Sequence, residues 1–195
     1  MHIIVMEGSM LTPKDCTLFS GAAAGTEAFF GALAEQYGIQ EVNFSFEGHQ
    51  VERTRGLRVL TSDELALKDV SLSYVSKLLQ REYTRAPIFR KVLQSICWQV
   101  SNGYEVYVVG TILEDGTVRG GTGWGAEFAK ICNKALRVFD QSKNGWFRWE
   151  NDVWVPESEP VIQNRLFTAT GTRFLEKNGR DAVEALFTRS FSKGA

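Results

Sequence analysis

The chain has 195 residues, a net charge of -1 and a pI of about 6.2, with 44% hydrophobic and 23% charged residues. That composition is ordinary for a globular protein, and scattered Lys and Arg on a nearly neutral chain exclude a surface built to track a nucleic-acid polymer. No apolar run approaches the roughly 20 residues that a membrane-spanning helix needs.

The length suits a single unit over residues 1–195. The opening MHIIVMEGSM lacks the pattern of a secretory signal, and MHIIVMEG is either an edge strand or an arm. Cys16, Cys97 and Cys132 are odd in number and lack metal spacing. They fit a reducing, cytoplasmic setting, as small buried hydrophobes. No metal and no cofactor is expected.

In chain order, CTLFS (16–20) reads as a strand. Apolar residues at helical spacing follow, from Phe29 through Leu33 to Tyr37, and Gly38 is a natural stop. EVNFSF (41–46) alternates as a strand does. Residues 47–60 read as loop. TSDELA carries a capping box, with Thr61 or Ser62 against Glu64. The stretch 73–100 reads as helix in two pieces broken at Pro87.

EVYVVGTI (105–112) is rich in Val, Tyr and Ile and suits a buried parallel strand. A turn, LEDGT, and a glycine run precede a helix predicted over 124–135, then a strand over 135–140. NGWFRWENDVWV (144–155) reads as an aromatic hairpin about an Asn-Asp turn. Another strand is predicted over 165–172, and NGRDAVEALFTRSF closes as a helix. Strands alternating with helices predict an α/β, Rossmann-like parallel sheet with helices on both faces, plus the small hairpin.

Ligands of such sheets bind beyond the carboxyl ends of the strands, where the strand order changes direction. Two glycine-rich segments fall at such places: SGAAAGTE after the first strand and RGGTGWGAE before a helix. Glycine lets an anion approach the backbone, and a helix N-terminus adds N–H donors and a positive dipole end. The bland alternative for each loop is turn chemistry.

RGGTGWGAE resembles the PGGxGTxxE motif of the cytokinin-activating nucleotide phosphoribohydrolases, the lysine decarboxylase-like family. Arg119 stands at the proline, Gly120, Gly121 and Gly123 at the glycines, Trp124 at the threonine and Glu127 at the glutamate. SGAAAGTE resembles the SGGxxGAD loop of the wider SLOG superfamily. VFDQ (138–141), the aromatic hairpin and TGTR (170–173) look closer still to a stand-alone branch of it. The resemblance covers about 17–191 and implies a Rossmann-like domain for a nucleotide-derived ligand such as an ADP-ribose-type signal.

It also implies a site. Ser20, Gly21, Ala22, Gly25 and Thr26 would form one wall, and Gly110, Gly120, Gly121, Thr122 and Gly123 a phosphate cradle. Glu127 would face the ribose, and Trp124 would stack on a base or pack in the core. Glu47 follows the second strand, where a ribose-reading acid belongs, and His49 beside it reads as structural. Asp140 and Gln141 would meet a base or ribose edge, unless Asp140 caps its turn. Arg173 is either a phosphate partner or half of a surface ion pair.

In the cleaving relatives an arginine on the preceding helix works with the motif glutamate. Here its place falls at Gln94 or Ser95, with Arg90 one turn earlier. That departure, Trp124 and the inserted LEDGTVR favour binding over cleavage. The alternative is a phosphoribohydrolase acting through Glu127, with Arg90 or Arg173 as helper. Relatives suggest a homodimer or higher homo-oligomer.

Overall fold

The computed structural model describes residues 11–83 and 86–191, so the segment left as edge strand or arm lies outside the described residues. β1 (Thr17–Ser20), α1 (Thr26–Tyr37), β2 (Gln40–Phe46) and β3 (Leu57–Leu60) come first. α2 (Ser62–Ala66), α3 (Asp69–Leu79), α4 (Pro87–Asn102) and β4 (Glu105–Gly110) follow. Then come α5 (Thr122–Ile131), β5 (Ala135–Asp140), β6 (Gly145–Glu150), β7 (Val153–Glu157), β8 (Leu166–Gly171) and α6 (Lys177–Phe191).

The strands make one sheet in the order β3-β2-β1-β8-β4-β5-β6-β7. The first six are parallel, and β6 and β7 extend the sheet antiparallel. From β1 the chain steps outward to β3, crosses to β4 and steps outward again, and returns with β8 between β1 and β4. The direction of winding therefore changes at β1, β8 and β4. This is the Rossmann-like α/β architecture predicted, with the aromatic hairpin as the last two strands of the same sheet.

The burial pattern explains the layers. All six residues of β4 are buried. Tyr107 and Val109 pack into a core with α1 and α6 around Phe30, Phe167, Phe187 and Phe191. Val106 and Val108, on the opposite face, pack with Leu93, Val100 and Trp124 of α4 and α5 and with Leu72 of α3. Alternation along one strand thus feeds both cores.

Local signals act as chemistry dictates. Gly38 caps α1 at φ 74°, Thr61 and Glu64 form the capping box of α2, and Pro87 opens α4. Asn151 and Asp152 both have positive φ (50° and 60°), the mark of a type I′ hairpin turn.

Three expectations are corrected. Residues 57–60 are not loop: Leu57–Leu60 pairs in parallel with β2. It is an edge strand with three of its four residues exposed, so no buried alternation marks it. The helix predicted over 124–135 begins at Thr122 and stops at Ile131, because Asn133 takes φ 49° and turns the chain. Cys132 is exposed, whereas Cys16 and Cys97 are buried.

Candidate functional site

A cavity of about 690 Å³ opens at the carboxyl ends of β1, β8 and β4, where the winding changes direction. Its size falls within the range of small-molecule sites. Ala23 and Ala24 of the first glycine loop line it, as do Arg119, Gly120, Gly121 and Thr122 of the second. β8 contributes Thr170 and Gly171, and the loop after it Thr172, Arg173 and Phe174.

The second loop is held from behind. Arg81 Nη1 donates to the carbonyls of Val118 and Gly120, both at 3.1 Å, and Nη2 donates to Thr117 Oγ1 at 3.1 Å. Arg81 thus fixes the Val118 and Gly120 carbonyls, and Gly120 turns the chain at φ 69°. Among the described residues, the N–H groups of Gly120, Gly121 and Thr122 donate to no acceptor. Three consecutive unused N–H groups at the start of a ten-residue helix are the kind of donor set that an anion can accept from.

The floor is polar and buried. Glu27, 6% exposed, lines the cavity. It accepts from Thr170 Oγ1 at 2.8 Å and from the Ala23 N–H at 3.1 Å. Burial pushes its carboxyl above the usual value, against the opposing pull of hydrogen bonds from Thr170, the Ala23 and Gly21 backbone and Gln99. Gln99, 1% exposed, also lines the cavity, and its Oε1 accepts no hydrogen bond among the described residues. A buried acceptor without a donor costs about 1–3 kcal/mol.

The rim is cationic and apolar. Arg119 and Arg173 are exposed there, and neither guanidinium meets a carboxylate among the described residues. Ile88, Phe89 and Phe174 are apolar residues left exposed at the same opening.

Of the expected site residues, Gly110, Gly120, Gly121, Thr122, Gln141 and Arg173 line this cavity. The others stand elsewhere. Ser20 is wholly buried and donates to the Ala169 carbonyl at 2.8 Å. Gly21 makes room for Glu27 and Gln99, since a Cβ there would lie 2.7 Å and 2.5 Å from them. Ala22 sits in the left-handed region at φ 57° with its carbonyl accepting from Glu52 N–H. Gly25 packs on the Arg173 backbone, and Thr26 Oγ1 donates to the Thr172 carbonyl at 2.8 Å. These residues buttress the wall rather than line it. Gly123 lies against the Val118 carbonyl. Glu47 is exposed outside the cavity while His49, stacked 4.5 Å from the Phe46 ring, lines it.

Trp124 packs in the core, 4% exposed, against Tyr83. Asp140 caps its turn, accepting from the N–H groups of Ile112, Ser142 and Lys143 and from the Ser142 hydroxyl. Arg90 is engaged by Asp69 and lies over the Tyr83 ring.

Glu127 does not line the cavity. It pairs with Lys130 at 3.1 Å, and Lys130 Nζ sits 3.8 Å from the Trp149 ring centre and 5.2 Å from that of Trp154. Lys130 and Trp154 Nε1 both donate to the Gly116 carbonyl. The aromatic hairpin thus clamps the inserted segment, which the Ile112–Val118 bridge closes at its base, and so fixes the chain that carries Arg119 to the rim.

Among the described residues, no cluster of His, Cys, Asp and Glu could hold a metal, and no helix is long and apolar enough to cross a membrane. Glu27 and Gln99 were missed from sequence. Glu27 occupies the acidic position of the SGGxxGAD-like loop, a signal that was present, whereas nothing local marks Gln99. Comparison with protein-family models, with curated proteins and with solved structures found no match.

Proposed function

We propose that this chain is a SLOG-like protein that binds a nucleotide-derived small molecule, as a sensor, carrier or sequestering protein. Three unused N–H groups at Gly120–Thr122, on residues that line the cavity together with two arginines that meet no carboxylate among the described residues, support the reading most directly. A phosphate would take the amides, with Arg119 and Arg173 balancing its charge. The buried floor of Glu27, Ser95, Gln99 and Thr170 suits ribose hydroxyls.

Binding is favoured over hydrolysis. Glu127, which cleavage would employ, and Arg90, one of its two candidate helpers, are absent from the cavity lining and engaged by Lys130 and Asp69, although the other helper, Arg173, lines the cavity. The place where the resemblance implies an arginine in the cleaving family falls at Gln94 or Ser95, and the Ser95 hydroxyl donates to the Val92 carbonyl.

The test is thermal melting against AMP, ADP, NAD, ADP-ribose, cyclic ADP-ribose isomers and cyclic dinucleotides. A ligand at about 100 times its Kd adds about 2.7 kcal/mol, a rise of roughly 5–10 °C for a chain of this size. A rise with the ligand recovered whole by chromatography supports the proposal. Release of free base would establish the hydrolase instead, and no rise with any ligand would sink both.

A further inference from the structure

We propose that the cavity's ligand carries a planar heteroaromatic base, held at the rim against Phe174 and Phe89 rather than at the floor. The inference rests on the phosphate cradle proposed above and assigns the other end of the same ligand.

Phe174 is 76% exposed, yet its backbone is pinned. Its N–H donates to Thr172 Oγ1 at 3.1 Å, and its carbonyl accepts from Gln141 Nε2 at 3.2 Å. Gln141 Oε1 accepts the N–H of Glu176 at 2.8 Å, so one amide clamps both sides of the turn. A large ring held out in water by a fixed backbone is preorganised for a partner, and a planar base offers the matching π-face.

Phe89 stands by the opposite loop. Its ring edge lies 3.5 Å from where a Gly121 Cβ would be, beside the proposed phosphate position, and the side chain is 42% exposed. Ile88 adds apolar surface next to it.

The floor is unsuited to the base. Glu27, Ser95, Gln99 and Thr170 are small or hydrogen-bonding groups with no aromatic ring among them. Trp124, the aromatic residue that the sequence brings nearest the glycine loop, is packed away in the core. The two ends differ in chemistry as the base and sugar of one nucleotide do.

The experiment is calorimetric titration of wild type, Phe174→Ala and Phe89→Ala with AMP and with ribose 5-phosphate. Stacking of one base on one ring corresponds to roughly ten-fold or more in affinity. Wild type is expected to bind AMP at least ten-fold more tightly than ribose 5-phosphate. Phe174→Ala should erase most of that difference while leaving ribose 5-phosphate binding unchanged, and Phe89→Ala should act in the same direction.

Equal wild-type affinity for the two probes overturns the base assignment and leaves the phosphate cradle standing. Unchanged AMP affinity in both variants does the same. Binding of neither probe overturns the cradle and this inference with it. A change of oligomeric state in Phe174→Ala, without loss of AMP affinity, would make the rim a contact between copies and refute the inference.

Discussion

Gly25 and Gly121 sit in the two glycine-rich loops, but the structure separates their roles, and substituting each tests that. At Gly25 the backbone has φ 84° and ψ -116°, a region that residues with a Cβ scarcely enter. A Cβ there would lie 2.4 Å from the Arg173 carbonyl oxygen and 2.6 Å from its Cα, both backbone atoms. Backbone strain of about 1–3 kcal/mol and overpacking of similar size together predict that Gly25→Ala loses about 2–6 kcal/mol. For a chain of this length that lowers the melting temperature by roughly 4–24 °C.

Gly121 has φ -62° and ψ -34°, open to any residue, and a Cβ there meets only the Phe89 ring at an ordinary 3.5 Å. Gly121→Val should therefore melt within about 4 °C of wild type while its side chain blocks the cradle and abolishes ligand binding. Differential scanning calorimetry reads the first quantity and ligand-induced shifts the second. A Gly25→Ala protein melting with wild type would refute the close-contact reasoning, and a Gly121→Val protein that binds normally would refute the cradle.

Other expectations follow from the same contacts. Burial raises the Glu27 carboxyl above its ordinary value of 4.5, so the folded state holds a proton that the unfolded chain has given up. Stability that this group supplies below its ordinary pKa is lost as pH rises through the raised folded value. Glu27→Gln removes that dependence. The melting temperature of wild type relative to Glu27→Gln should fall as pH is raised from 4.5, and a constant difference would show that Glu27 is not raised.

Arg81→Met deletes three hydrogen bonds to the second loop. At about 1.5–3 kcal/mol for a bond from a charged group at most, partly recovered by water, it should melt several degrees lower. It should also weaken AMP binding without Arg81 lining the cavity. Unaltered affinity would mean that the loop holds its shape unaided. Replacing Arg119 and Arg173 together with Gln should leave melting of the free protein nearly unchanged and cut phosphate-dependent affinity. Retention of that affinity would remove both from the site.

The sheet was legible because its signals are local. A run such as EVYVVG reports a strand buried on both faces, and Gly38, Thr61 and Pro87 are punctuation whose chemistry acts within one turn. The exposed edge strand at 57–60 carries no such pattern, so its sequence reads as loop. The glycine loop at 119–122 could be placed at the cavity for the same local reason.

The direction of Glu127 could not. Five residues after Thr122, it lies about 140° round the helix at 100° per residue, on the side that meets Lys130 and the tryptophans rather than the ligand opening. The phase follows from the helix starting at Thr122, and a start two residues later was predicted. Glu27 was visible as the acid of the first loop, but its value as floor depends on Thr170, 143 residues away. Gln99 reaches the same place from α4, and only the folded sheet brings the three together.

The placement of β8 bears on how the protein is made. The strand at the middle of the parallel sheet is the last of the eight to leave the ribosome. It pairs with β1, made about 150 residues earlier, and with β4. Until Leu166–Gly171 emerges, β1 and β4 face a vacant slot with unpaired edges, a condition that slows folding and exposes strands to mispairing. The turn that presents Arg173 and Phe174 is synthesised directly after that strand. Emergence of the keystone strand and of half the rim is thus one event, and nascent chains halted before it would lack the pocket.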